Sequence, residues 1–144
     1  LSPPRRVVCG APAYFDRRGT PQSPQDLEGH DCVLFKAPSY GSTWQFVRNG
    51  EEAAIEVRGR ICSENTQVLL ASAVAGLGLI MVNDYTARPL VESGQLVRVL
   101  GDYTASPRPG DADLYAVYAS SRSVSRKVRV FVEFLADLFK ATDA

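Results

Sequence analysis

The sequence predicts an α/β fold, and three stretches carry that reading. The first is residues 63–83, where a polar capping segment leads into an apolar helix, a glycine turn and a short apolar strand. The second is the pair of alternating segments on either side of Asn49-Gly50, a dipeptide that favours a tight hairpin turn. The third is the C-terminal stretch, whose apolar residues recur at steps of three and four, as on one face of a helix. The chain has 144 residues, 45% of them hydrophobic and 22% charged, enough to build a core.

In chain order, Val7-Val8-Cys9 reads as a strand closed by Gly10. Pro12 suits the first position of a helix through Arg18, with Gly19 as its C-cap and Arg17-Arg18 as a solvated end favoured by the dipole. Ser23-Pro24-Gln25-Asp26 starts a second, short helix that stops at Gly29. A strand follows over residues 32–35. The stretch from Ala37 to Thr43 is a hydroxyl-rich loop, able to connect or to contact a ligand. Residues 44–47 are a strand. After the Asn49-Gly50 turn one continuous return strand is predicted, with Ile55, Val57, Gly59 and Ile61 buried and Glu56, Arg58 and Arg60 wet.

Ser63 or Asn65 caps a helix from Thr66. Residues 68–77 are apolar on nearly every side, which suits a helix covered on most faces. Gly76 and Gly78 are expected to end it, since glycine accepts a left-handed turn and leaves no side chain where the chain reverses. The run 79–82 has the pattern of a strand buried on both faces of a parallel sheet. Residues 84–88 form one helical turn, and Pro89 begins another that Gly94 closes. Residues 96–100 are a strand, 104–113 an exposed loop, 114–118 a further strand, and the rest a helix.

Composition excludes several functions. Sixteen Lys+Arg balance sixteen Asp+Glu, so this segment is no basic DNA-binding surface. Cys9, Cys32 and Cys62 are widely spaced and unpaired, which fits a reducing compartment. No apolar run reaches membrane-spanning length, and the first six residues are no signal peptide. His30 stands beside Cys32, yet it is the only histidine and no second ligand lies at metal spacing. A structural His and a buried Cys are expected there, with no metal, cofactor or catalytic group. Gly76-Leu77-Gly78 lacks the third glycine of a dinucleotide fingerprint and follows its helix instead of opening one.

Taken together, these pieces resemble the effector-binding domain of LysR-type transcriptional regulators. The resemblance is carried by Ala11-Pro12-Ala13-Tyr14-Phe15, Gly19-Thr20-Pro21, Ser23-Pro24-Gln25-Asp26-Leu27 with His30-Asp31-Cys32, and Trp44-Gln45-Phe46. It continues in residues 73–79, 94–100, 114–118 and 125–132, and covers the chain from Arg5 to about Lys140. Asn83 and Ala119 depart from it, since the family usually places proline at both; Asn83 alters the polarity of a pocket wall.

The resemblance implies a type II periplasmic-binding-protein-like architecture: two α/β subdomains around a hinge, with a small-molecule effector in the cleft. Residues 1–118 would be the second subdomain with a return strand, and 119–144 a C-terminal helix belonging to the first. DNA would be bound by a winged helix-turn-helix absent from this chain, in a cytoplasmic homo-oligomer (dimer or tetramer) with no membrane contact. The effector-binding residues implied are Pro38, Ser39, Ser42 and Thr43 of the loop, Ser63, Asn65 and Thr66 at the helix start, and Asn83. That helix N-terminus favours an anion, although Asn65 and Thr66 could simply cap it and the Glu64 carboxylate would repel one. The competing expectations are a stand-alone solute-binding protein of a transporter and, with Cys32 or a serine and His30, an enzyme lacking any local motif.

Overall fold

Val7, Val8 and Cys9 point alternately to two faces of a sheet, and each face carries its own apolar cluster. They lie on β1 (Arg6–Gly10) in the computed structural model, which describes residues 5–109, 117 and 125–142. The chain divides into two units: Arg5–Gly110, and a second made of Leu1–Pro4 and Asp111–Ala144.

In the larger unit, Val8 packs with Tyr14 and Phe15 of α1 (Pro12–Arg18), with Leu27, and with Trp44, Phe46 and Ile55. Val7 and Cys9 pack on the other face with Leu69, Leu70 and Ala73 of α2 (Thr66–Val74). Burial pushes the Cys9 and Cys32 thiols up to about 12, so at neutral pH both are small apolar groups and not nucleophiles. Asp26 accepts the amides of Gln22 and Ser23, closing a capping box on the 3₁₀ helix Pro24–Gly29.

β2 (Asp31–Phe35) precedes the hairpin of β3 (Thr43–Arg48) and β4 (Glu51–Glu56). Asn49 and Gly50 have φ of +53° and +80°, the paired left-handed residues a type I′ turn requires. The return strand is not continuous. It switches sheets at Val57, and β5 (Arg58–Ser63) pairs in parallel with β2 while β4 stays with β3. Alternation survives the switch, because Ile55 and Val57 are both buried.

β6 (Ile80–Asn83) is buried on both faces, but its main partner is antiparallel: it runs against β1, Arg6 opposite Asn83 and Val8 opposite Met81. The parallel contact is one bridge between Leu79 and Cys32. There Leu79 N–H donates to the Asp31 carbonyl at 2.9 Å and Val33 N–H donates to that of Leu79 at 2.8 Å. This joint ties the β2–β5 pair to the main sheet.

α2 ends as expected at Gly76, with φ +73°. Gly76 N–H donates to Ala73 O and Leu77 N–H to Ser72 O, the two bonds of a Schellman motif. Burial of α2 is one-sided, however: Val68 is 43% exposed and Ala71 is exposed beside it, and Leu77 beyond the helix is exposed as well. The two predicted turns around Pro89 are one helix, α3 (Asp84–Glu92), with Pro89 inside it. β7 (Val97–Val99) pairs with β1. The loop predicted from Thr104 contains a strand, β8 (Thr104–Ser106), wedged between β1 and β3 with Ala105 buried. The strand predicted over 114–118 lies, Val117 apart, outside the described residues. In the second unit, α4 (Arg126–Thr142) is an amphipathic helix, and none of the described helices is long and apolar enough to cross a membrane.

His30 is structural. The Tyr14 hydroxyl accepts from Asp31 N–H at 3.0 Å and faces His30 Nδ1 at 2.9 Å. The Tyr14 oxygen thus bridges the Asp31 amide and the imidazole, which holds the ring in place. Burial first and the Arg18 guanidinium second hold the imidazole below its ordinary 6.5, against the opposing pull of Asp26 and Asp31. The unfolded chain thus binds a proton that the folded chain resists, so stability is full above the ordinary imidazole range and falls as pH drops through it. With no other histidine, the melting temperature should decline as the pH falls below the ordinary imidazole value of about 6.5, and His30→Gln should flatten that slope. An unchanged slope in the variant would show that His30 does not set it.

Candidate effector cleft

The Arg6–Asn83 register fixes the centre of a cleft. Residues directly opposite in an antiparallel pair project to the same side, their Cβ atoms about 4.5–5.5 Å apart. Arg6 and Asn83 therefore share a wall. The first turn of α2 adds Thr66 and Gln67, the end of β2 adds Phe35, the following loop adds Tyr40, and α3 adds Tyr85 and Thr86. The space enclosed is about 390 Å³, the size of a small-molecule site. Arg6 is already oriented: its Nη2 donates to the Tyr40 hydroxyl at 2.9 Å, and Phe35 packs beside the Tyr40 ring at 5.7 Å.

Chemically the wall is a guanidinium, the hydroxyl-bearing or amide side chains of Tyr, Thr, Gln and Asn, and an apolar floor of Leu69, Met81 and Val82. None of the described lining side chains is a carboxylate. Asp84, next to Asn83, does not line the cleft and is held by Arg88 at 2.9 Å and Arg98 at 2.7 Å. Among the described residues no cluster of His, Cys, Asp or Glu could hold a metal.

Of the eight residues expected at the site, the cleft brings together Thr66 and Asn83. Asn65 is the N-cap, its Oδ1 accepting from Gln67 N–H at 2.9 Å, and Ser63 Oγ accepts from Asn65 N–H at 3.1 Å. Those two oxygens are committed to the helix start. Pro38 and Ser39 are exposed, the Ser42 carbonyl accepts from Val57 N–H, and Thr43 opens β3. Glu64 is exposed and off the cleft wall. The cleft wall also includes Arg6 and Tyr85, and from the loop that supplied Pro38, Ser39, Ser42 and Thr43 as expected contacts it includes Tyr40; the sequence reading singled out none of these three. Only pairing of β1 with β6 puts Arg6 there, and no local pattern announces it.

Asn83 is unusual. It occupies the N-cap of α3, yet its side chain makes no cap hydrogen bond. Instead Nδ2 donates to the Tyr85 hydroxyl at 2.9 Å, and Oδ1 is buried with no partner among the described residues. A stranded buried acceptor costs about 1–3 kcal/mol.

A two-faced α/β unit with an anion-compatible cleft at a strand end and helix start defines a small-molecule-binding domain. The family is equally plain: the model of the LysR substrate binding domain matches residues 1–140, and the chain belongs to that family. It is 34% identical over 137 residues to the HTH-type transcriptional activator TtdR of Escherichia coli K12, spanning 94% of this chain and 43% of that protein. It is 30% identical over 145 residues to the probable HTH-type transcriptional regulator LtrA of Klebsiella pneumoniae, spanning 46% of it. Full-length AphB, a virulence activator of Vibrio cholerae, superposes with TM-score 0.72 at 27% identity, over 90% of this chain and 43% of that one. The CrgA regulatory domain of Neisseria meningitidis gives TM-score 0.65 at 25% identity, over 92% and 64%. The fold is thus that of LysR-type regulatory domains, periplasmic-binding-protein-like, and the chain spans less than half the length of these curated relatives.

Proposed function

We propose that this chain is the part of a LysR-type regulator that senses a small anionic effector, held against Arg6, Thr66 and Asn83. The observation that carries it is the cleft wall, which offers a guanidinium, hydroxyls and the positive end of α2, with no carboxylate among its described side chains. Residues 1–118 form the second regulatory subdomain with its return strand, and 119–144 belong to the first. In the whole protein, effector closes the two subdomains, and closure alters how a dimer or tetramer holds DNA through a winged helix-turn-helix. An effector can do this only through unequal affinity for the two arrangements. The same reading gives no catalytic role to Cys32, which is buried, or to His30, which Tyr14 occupies.

Arg6→Met in the full-length regulator tests the site. It keeps the apolar stem and removes the charged donor, a change worth about 1.5–3 kcal/mol for a charge-assisted bond, or about 10–100-fold in affinity. Calorimetric titration with small carboxylates should show that loss, together with loss of the transcriptional response. Unchanged carboxylate affinity would sink the proposal.

A further inference from the structure

We infer that Tyr40 couples the two segments by which the chain enters and leaves the cleft-bearing unit, so that a molecule in the cleft reaches both through one side chain. Its regulatory meaning rests on the effector reading of the cleft; the coupling itself does not. The chain passes from one unit to the other between residues 4 and 5, and back between 110 and 111. Arg6 stands just inside the first passage and Arg108 just inside the second. Tyr40 belongs to neither segment, yet it meets both. Arg6 Nη2 donates to its hydroxyl at 2.9 Å, and the Arg108 guanidinium carbon lies 6.0 Å from its ring centre, within cation–π range.

Each part of this contact is held in place. Phe35 packs beside the Tyr40 ring at 5.7 Å, and Tyr40 N–H donates to the Ala37 carbonyl at 3.0 Å. Ser106 Oγ donates to the Arg108 carbonyl at 2.6 Å and accepts from Arg108 N–H at 3.3 Å, which fixes Arg108 relative to β8. Pro107 borders a small cavity together with Arg6, Tyr40 and Trp44, so the second passage runs close to the first at this point. The sheet joins the two segments where Arg6 lies opposite Ala105, and Tyr40 spans them beyond that pair. Tyr40 also lines the cleft. A ligand that packs on it stiffens both passages, and one that displaces it frees both, which is the unequal affinity a switch requires.

The test is hydrogen exchange, read by mass spectrometry on the full-length regulator without ligand. Tyr40→Leu should speed exchange about ten-fold or more in peptides covering residues 5–8 and 104–108 alike, while α2 stays within about three-fold as the folding control. Tyr40→Phe keeps the ring and loses the hydroxyl, so residues 5–8 should respond more than 104–108. Arg108→Gln should speed residues 5–8 as well as its own segment, and in the Tyr40→Leu background it should add nothing to residues 5–8. Unchanged exchange in either segment of Tyr40→Leu would overturn the inference. So would an Arg108→Gln effect on residues 5–8 that survives Tyr40→Leu, because the sheet would then carry the coupling. Neither result touches the effector reading, which Arg6→Met tests separately.

Discussion

Replacing Gly78 by valine is expected to cost the fold about 3 kcal/mol or more, a large part of the ~5–15 kcal/mol that holds a domain of this size together. A Cβ built on Gly78 would lie 2.6 Å from the Asp31 carbonyl oxygen and 3.0 Å from its carbon. Both are backbone atoms and cannot swing away. That same carbonyl accepts from Leu79 N–H, and Leu79 O accepts from Val33 N–H, so the intruding group prises open the joint between the β2–β5 pair and the main sheet. Overpacking contributes about 1–3 kcal/mol, and each buried group that loses its partner about 1–3 more. Left-handed backbone is not the cause, because the positive φ belongs to Gly76 and not to Gly78. Gly101→Ala is the control: nothing lies within 4 Å of its Cβ position and its φ is not positive, so it should be close to neutral. Urea unfolding measures all three proteins. A Gly78→Val midpoint equal to wild type would show that the close approach does not exist.

That joint also marks how far the sequence could be followed. Local chemistry was legible: Pro12 and Gly19 bound α1, Ser23 and Asp26 close a capping box, and Asn65 and Gly76 delimit α2. Pairing was not. The alternation through Ile55, Val57 and Ile61 records which side of the chain is dry, and it is the same whether the strand continues or changes sheets at Val57. Residues 79–82 are dry on both faces in parallel and antiparallel sheets alike, so the pattern could not reveal β1 as the partner. Thr104-Ala105-Ser106 is too short and polar to register as a strand, and only its place between β1 and β3 makes it one. The helix start at Thr66 was visible for the same reason that α1 was. The opposite wall at Arg6 was not, because it depends on that unseen register.

Substituting Phe131 and Phe134 together by aspartate should destabilise the full-length regulator by about 2–4 kcal/mol and leave the 144-residue chain nearly unchanged. In the C-terminal sequence, apolar residues at steps of three and four put Val128, Phe131, Val132, Leu135, Leu138 and Phe139 on one stripe. In α4 the apolar arc is wider and shifted: Val128, Val132 and Leu135 are half-buried, while Val130, Phe131, Phe134 and Leu138 are 50–59% exposed. Fully burying one such side chain stabilises by about 1.5–3 kcal/mol, and with 59% of each phenylalanine still in water roughly 1–2 kcal/mol apiece remains to be gained. If α4 belongs to the first subdomain, as we propose, that gain is realised only in the full-length protein, where the rest of that subdomain covers the arc. Aspartate forfeits it and adds a buried charge. Unfolding both proteins in denaturant, each with and without the pair, separates the possibilities. A full-length protein indifferent to the substitutions would mean that nothing there covers this arc. An equal loss in both would mean that the arc is already used within the 144 residues, and α4 would have to be assigned to the same subdomain as the cleft.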